Sequence, residues 1–279
     1  MANIDNLQKT ASQVRRDIVR MVCAAKSGLP GGSLGIADVL TALYFSEMKH
    51  DPKTWTRDSK GQDAFVLSAG HLAPVFYSVL ARAGYFPVSE LGTLRKFGTR
   101  LQGHPCVTDS LPGVVKPSGS LGQGLSVAGG MALAKKLAGE PERVFCLCGV
   151  GESEEGQIWE AGIWAAAHKL DNLVAFTDWN GKQIDGNVDE VGGLGDLCEK
   201  WTAFGWSVIE ADGNDFESIL KAFELARAAD GNPKMILFRT EMGHGVDFMA
   251  GNHKWHGKAP SADECATALS QLEETLGDY

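Results

Sequence analysis

Residues 144–186 read VFCLCGVGESEEGQIWEAGIWAAAHKLDNLVAFTDWNGKQIDG. Residues 144–148 form a short apolar run that stops at Gly149, Gly151 and Gly156, and residues 173–177 form a second that stops at Asp178, Trp179 and Asn180. Continuous apolar runs of this length, bounded by turn residues, are the pattern of strands buried on both faces of a parallel sheet. Between them Ile158, Ala161, Ile163, Ala165 and Ala166 lie in a stretch broken only by Gly162, long enough for a crossover helix. The stretch is a βαβ unit. Its right-handed crossover sets the loops 149–156 and 178–181 side by side at the carboxyl edge of the sheet, where open α/β sheets bind ligands.

Working outward, Leu7, Ala11, Val14, Ile18, Met21 or Val22, and Ala25 recur at three- and four-residue intervals, which predicts an amphipathic helix ending near Lys26. The segment 27–35, SGLPGGSLG, predicts a glycine-rich turn whose backbone can approach a ligand, followed by a helical run over 36–48. Residues 64–67 predict a strand that hands over to a helix at His71. SGSLGQG at 118–124 opens a helix of small residues, and glycines before a helix expose N–H groups to anions. After the central unit, 206–211 and 235–238 predict two more strands, separated by a helix over 216–229 capped by Asn214 or Asp215. The loop TEMGHGVDFMAGNHKWHGKAP precedes a last helix at 262–276, which reads as edge packing, and long loops in compact domains tend to be functional. Its His253-x-x-His256 spacing suits zinc, but no third and fourth ligands are evident.

The run G-x-G-E-x-x-E-G, followed by three turns of helix, a strand and N-G-x-x-I-D-G, resembles the diphosphate and metal signature of transketolases, which are thiamine diphosphate enzymes. The resemblance implies an α/β fold with a parallel sheet flanked by helices, and it covers nearly the whole chain. It implies that Gly149, Gly151, Glu152 and Asn180 bind the cofactor. It also implies that Asn180 and the backbone carbonyl of Lys182 hold a divalent cation, Mg2+, which in turn holds the diphosphate. In the family the first loop reads Gly-Asp-Gly, and the Asp is a metal ligand; here Val150 stands in its place. The family's Ser-Gly-His-Pro-Gly has Leu29 in place of the His that touches substrate. His71, in Gly-His-x-Ala-Pro, matches a histidine facing the diphosphate, while His104, in Gln-Gly-His-Pro, and His256, before Gly257 and Pro260, match histidines that meet the substrate. Gly119, Ser120, Leu121 and Gly122 are implied to wrap the cofactor with their main chain. Glu155 and Glu160 fall where the family places acidic residues near the catalytic Glu of a second domain; solvated charges at a helix start are an equal reading of both.

Composition narrows the alternatives. The formal charge is −9, from 26 basic and 35 acidic residues, and the basic ones are scattered, which argues against nucleic acid as a partner. No stretch approaches the roughly 20 apolar residues that span a bilayer, and the first 20 residues show no signal-peptide core, so the expectation is a cytoplasmic protein that does not enter the membrane. Six cysteines occur without a C-x-x-C pair, and Cys146 and Cys148 fall in a buried strand, the pattern of reduced core residues.

The 279 residues match only the first, diphosphate-binding domain of a transketolase. The pyrimidine-binding domain, with the Glu that activates the cofactor, is expected on a C-terminal partner chain, with two copies of each chain in the assembly and sugar phosphates as substrates. Two other readings stay open: a non-catalytic, metal-poor interaction subunit, and a thiamine diphosphate-dependent ketol or acyl transferase of a specialised pathway.

Overall fold

The computed structural model describes residues 3–228 and 230–279. Strands β1 (Ala64–Leu67), β2 (Val144–Gly149), β3 (Leu173–Trp179), β6 (Ser207–Asp212) and β7 (Lys234–Arg239) form one parallel sheet in the order β1-β2-β3-β7-β6. Between β3 and β6 a short antiparallel ribbon, β4 (Lys182–Gln183) and β5 (Gly186–Asn187), stands apart from the sheet.

Alternation along the strands divides the interior in two. Phe65, Leu67, Phe145, Leu147, Val174 and Phe176 face one apolar cluster, and Val66, Cys146, Cys148, Leu173 and Ala175 face the other. The first is covered by α1 (Ile4–Ala25), α2 (Pro30–Gly35), α3 (Ala37–Ala42), α4 (Ala73–Arg82), α9 (Phe216–Ala226) and α10 (Ala262–Gln271). The second is covered by α5 (Gln123–Ala138), α6 (Gly156–Ala167), α7 (Val188–Val191) and α8 (Leu197–Ala203). Helices thus flank both faces of the parallel sheet, as expected.

Several helix boundaries differ from the sequence reading. Pro30 at the first helical position starts α2 inside the segment expected to be a turn. The glycines of α2 serve packing: a Cβ on Gly35 would lie 2.7 Å from the Glu241 carbonyl oxygen, and one on Gly31 would lie 2.8 Å from that of Trp255. The run predicted over 36–48 is broken into α3 and a wider π-turn, Leu43–Glu47. Helix α9 is capped by Asp215 and stops at Ala226; the predicted end, Ala229, lies outside the described residues. Helix α10 begins in a capping box of Ser261 and Glu264 but ends at Gln271, because the chain beyond it is captured by α1. There Gln13 accepts the Thr275 and Leu276 N–H groups, each at 3.0 Å, and Arg16 pairs with Asp278 at 2.6 Å.

Among the described residues no helix is long and apolar enough to cross a membrane, and the six cysteines are free thiols.

Candidate active site

Parallel register brings the loops together. Gly149 pairs with Asp178 at the ends of β2 and β3, and the Val150 N–H donates to the Asp178 carbonyl at 3.2 Å, so loops 149–156 and 178–181 leave the sheet as neighbours. On the other side of β2, β1 ends at Leu67, and the turn Gly70–Leu72 sets His71 over the same edge. A cavity of about 490 Å³ opens there, of a size suited to a small cofactor.

Its walls collect most of the residues singled out in the sequence: Leu29, His71, His104, Gly119, Leu121, Gly149, Val150, Gly151, Glu152, Glu155, Asn180, Lys182 and His256. Glu154, Asp178, Gln183 and Ile184 complete the lining. Ser120 and Glu160 are exposed and stand outside it, and Gly122 lies buried behind it. His253, three residues before His256, turns to the Ile184 carbonyl at 3.3 Å.

The histidines form a layered group. The His71 and His256 rings lie 5.2 Å apart, tilted by 34°. Burial, then the neighbouring His256 and His104, push the His71 pKa down to about 4, so its imidazole is neutral at pH 7. Burial also lowers the pKa of His256, and that of the more exposed His104 is lowered by partial burial and then by the Arg95 guanidinium. The Nδ1 atom of His256 is buried without a hydrogen-bond partner.

The two buried carboxylates are already engaged. Glu152, 2% exposed, accepts from the Ser68 hydroxyl, from the Gly122 N–H at 2.7 Å and from the Gly149 N–H at 2.9 Å. It therefore ties β1, the start of α5 and the loop after β2 together, a role that its position in the G-x-G-E motif does not reveal. Asp178 accepts from the Thr240 hydroxyl and, at 2.9 Å, from the Asn180 amide. Burial lifts its pKa to about 6 against these hydrogen bonds.

A family model described as the transketolase thiamine diphosphate binding domain matches residues 6–275. The chain belongs to the transketolase family. The 6-deoxy-6-sulfo-D-fructose transketolase subunit SqwG of Clostridium sp. (strain MSTE9) is 42% identical over 271 residues, which cover 96% of this chain and 97% of that one. An apulose-4-phosphate transketolase subunit of Phocaeicola vulgatus is 37% identical, over 98% of this chain and 96% of that one. The crystal structure of the Campylobacter jejuni transketolase superposes with a TM-score of 0.90 at 32% identity, covering 97% of this chain and 43% of that longer one. This transketolase chain thus matches the named subunits nearly end to end and less than half of the larger enzyme.

The cavity fits thiamine diphosphate. Glycines line it where a ligand can approach backbone: Gly119 has a φ of 150°, and a Cβ there would have the His104 ring as its nearest neighbour, at 3.8 Å. The orphaned Nδ1 of His256 offers a ligand a hydrogen-bonding atom that the protein leaves unused. A divalent cation fits poorly. Val150 is 3% exposed and belongs to the apolar cluster beneath α5 and α6. The Asn180 amide donates to Asp178, and its oxygen accepts the Lys182 N–H at 2.9 Å, so one of that oxygen's two lone pairs is already used.

Proposed function

We propose that this chain is the diphosphate-binding subunit of a two-chain transketolase, which moves a two-carbon ketol unit from a ketose phosphate to an aldose. The observation that carries this reading is the convergence of His71, His104 and His256 with the loops 149–156 and 178–181 on one open cavity. The near end-to-end match to proteins named as transketolase subunits supports the division into two chains. In this reading the chain is a single diphosphate domain, and a C-terminal partner supplies the pyrimidine-binding domain and its Glu. Two copies of each make a closed assembly.

The cofactor, when bound, supplies the nucleophilic carbon that carries the two-carbon unit. Glycines 119, 149 and 151 give its diphosphate and rings close access to the main chain, with Leu121 beside the thiamine and Gly122 supporting the wall from behind. His71, neutral at pH 7, orients the cofactor by hydrogen bonding. His104 and His256 face the sugar, where a neutral imidazole can donate or accept a proton at a hydroxyl. Glu155 lines the cavity and Glu160 is exposed on α6; in this reading both carboxylates meet the partner chain.

The test is ketol transfer by the purified chain alone and mixed with its partner. Activity is expected only in the mixture, and turnover by the single chain sinks the two-chain reading. Val150 and Leu29, both at the cavity wall, favour one other reading, a transketolase-like interaction subunit without catalysis. Failure of the mixture to turn over any ketose phosphate, with a stable complex formed, selects it.

A further inference from the structure

A diphosphate entering this cavity brings several negative charges into a site that is already acidic. The side chains around it that could answer with positive charge are few. His71, His104 and His256 all have lowered pKa values and are neutral at pH 7. Among the described residues that line the cavity, Lys182 is the only lysine or arginine. It stands on β4, directly after the Asn180–Gly181 turn, and its ammonium donates to the Asn187 side-chain oxygen on β5 at 2.5 Å. That contact orients the ammonium and uses one of its three donors, leaving the others for a ligand.

Apart from the Lys182 carbonyl, the oxygen atoms that would have to hold a cation are absent or already accept hydrogen bonds. Val150 brings carbon, and its carbonyl accepts the Ser153 N–H at 3.0 Å. Glu152 is tied to Ser68, Gly122 and Gly149, and Asp178 to Thr240 and Asn180. The Asn180 oxygen closes its own turn on the Lys182 N–H. Magnesium binds phosphates with the help of one or two carboxylates in a near-octahedral shell, and the two buried carboxylates beside Val150, Glu152 and Asp178, already accept hydrogen bonds from the protein. The loop that neighbours Val150, where the metal ligand is missing, leads into a lysine.

We propose that this chain holds the diphosphate of its cofactor without a divalent cation, and that the Lys182 ammonium supplies the balancing charge. The inference rests on the thiamine diphosphate reading above and adds to it the way the anion is bound. A lysine on a short hydrogen-bonded ribbon is a suitable substitute, because an ammonium is a compact charge that binds phosphate without demanding a coordination geometry.

The experiment is a calorimetric titration of thiamine diphosphate into the chain complexed with its partner, in EDTA and in excess magnesium. The affinity in EDTA is expected to equal that in magnesium. Lys182→Met should weaken binding in EDTA by about tenfold or more while Lys182→Arg retains it, and thermal melting of each variant reports that it is folded. The double variant Val150→Asp, Lys182→Leu should bind weakly in EDTA and recover with magnesium. Tightening of the wild-type complex by magnesium of about threefold or more overturns the proposal, as does a folded Lys182→Met with unchanged affinity. The wild-type comparison needs no variant to fold. Absence of binding in both buffers overturns the cofactor reading itself, an outcome distinct from binding that depends on magnesium.

Discussion

The Glu152 carboxylate accepts the Gly122 N–H at 2.7 Å across 30 residues of chain, joining the loop after β2 to the first turn of α5. The same carboxylate accepts from Ser68 and Gly149, so one buried side chain fixes the three segments that shape the cavity floor.

Glu152→Ala leaves three buried donors without an acceptor, and each costs about 1–3 kcal/mol. The expected loss is about 3 kcal/mol or more of unfolding free energy, with Glu152→Gln losing less because its amide oxygen still accepts. Denaturant unfolding of the cofactor-free chain measures both. Equal stability of the alanine variant and wild type would show that the three segments are held by other contacts.

A second test of the same corner uses Gly124, whose N–H donates to the Ser68 hydroxyl at 2.9 Å. A Cβ there would lie 2.3 Å from the Ser68 Cβ and 2.5 Å from its Cα, so α5 cannot stay where it is against β1. Gly124→Ala is expected to cost about 1–3 kcal/mol through overpacking and to weaken cofactor binding, since the glycine loop 119–122 moves with the helix. Gly130→Ala, on the same helix with open space around it, is the control and should be neutral or slightly stabilising.

Much of this was legible in the chain itself. Apolar runs ended by glycines identify β2 and β3, and parallel register then makes their two loops neighbours. His71, His104 and His256 come from three distant segments, and their spacing alone could not join them; the resemblance did, and the cavity holds all three. What escaped notice was short or depended on distant partners. Strands β4 and β5 have two residues each, too few to show a period, and α8 is seven residues long. The role of Glu152 depends on Ser68, 84 residues earlier, and that of Lys182 on the ribbon that orients its ammonium, whereas the sequence reading used only its carbonyl.

Two buried groups give the chain opposite pH responses. His71 titrates at about 4 in the fold against an ordinary value of 6.5, so the folded state binds fewer protons in that window; the stability it confers is full above about 6.5 and is lost as the pH falls towards 4. Asp178 is raised from 3.8 to about 6, so its contribution is full below 3.8 and is lost as the pH rises through 6. Relative to wild type, His71→Gln should therefore flatten the loss of stability on acidification, and Asp178→Asn should flatten the loss between pH 4 and pH 7. Melting curves of the three proteins over pH 4–8 check this, and parallel curves would mean that neither group is buried as described.

The last prediction separates the histidines by what they touch. His71 sits in the turn after β1, partly buried and close to the glycine loops, whereas His104 is exposed at the cavity mouth and His256 rises from the loop before α10. A residue that holds the cofactor affects its affinity, and one that meets only the sugar affects turnover or the Michaelis constant. With the partner present, His71→Ala is expected to raise the dissociation constant of thiamine diphosphate by about tenfold while leaving kcat at saturating cofactor within a few-fold. His104→Ala and His256→Ala should bind the cofactor as wild type does and lower kcat/KM by about 100-fold, the scale of a lost general acid or base. His256 carries the sharper expectation, because its unpartnered Nδ1 has no structural hydrogen bond to lose, so the variant should melt as wild type does. A His256→Ala variant with full activity would mean that this imidazole does not meet the substrate in the assembled enzyme.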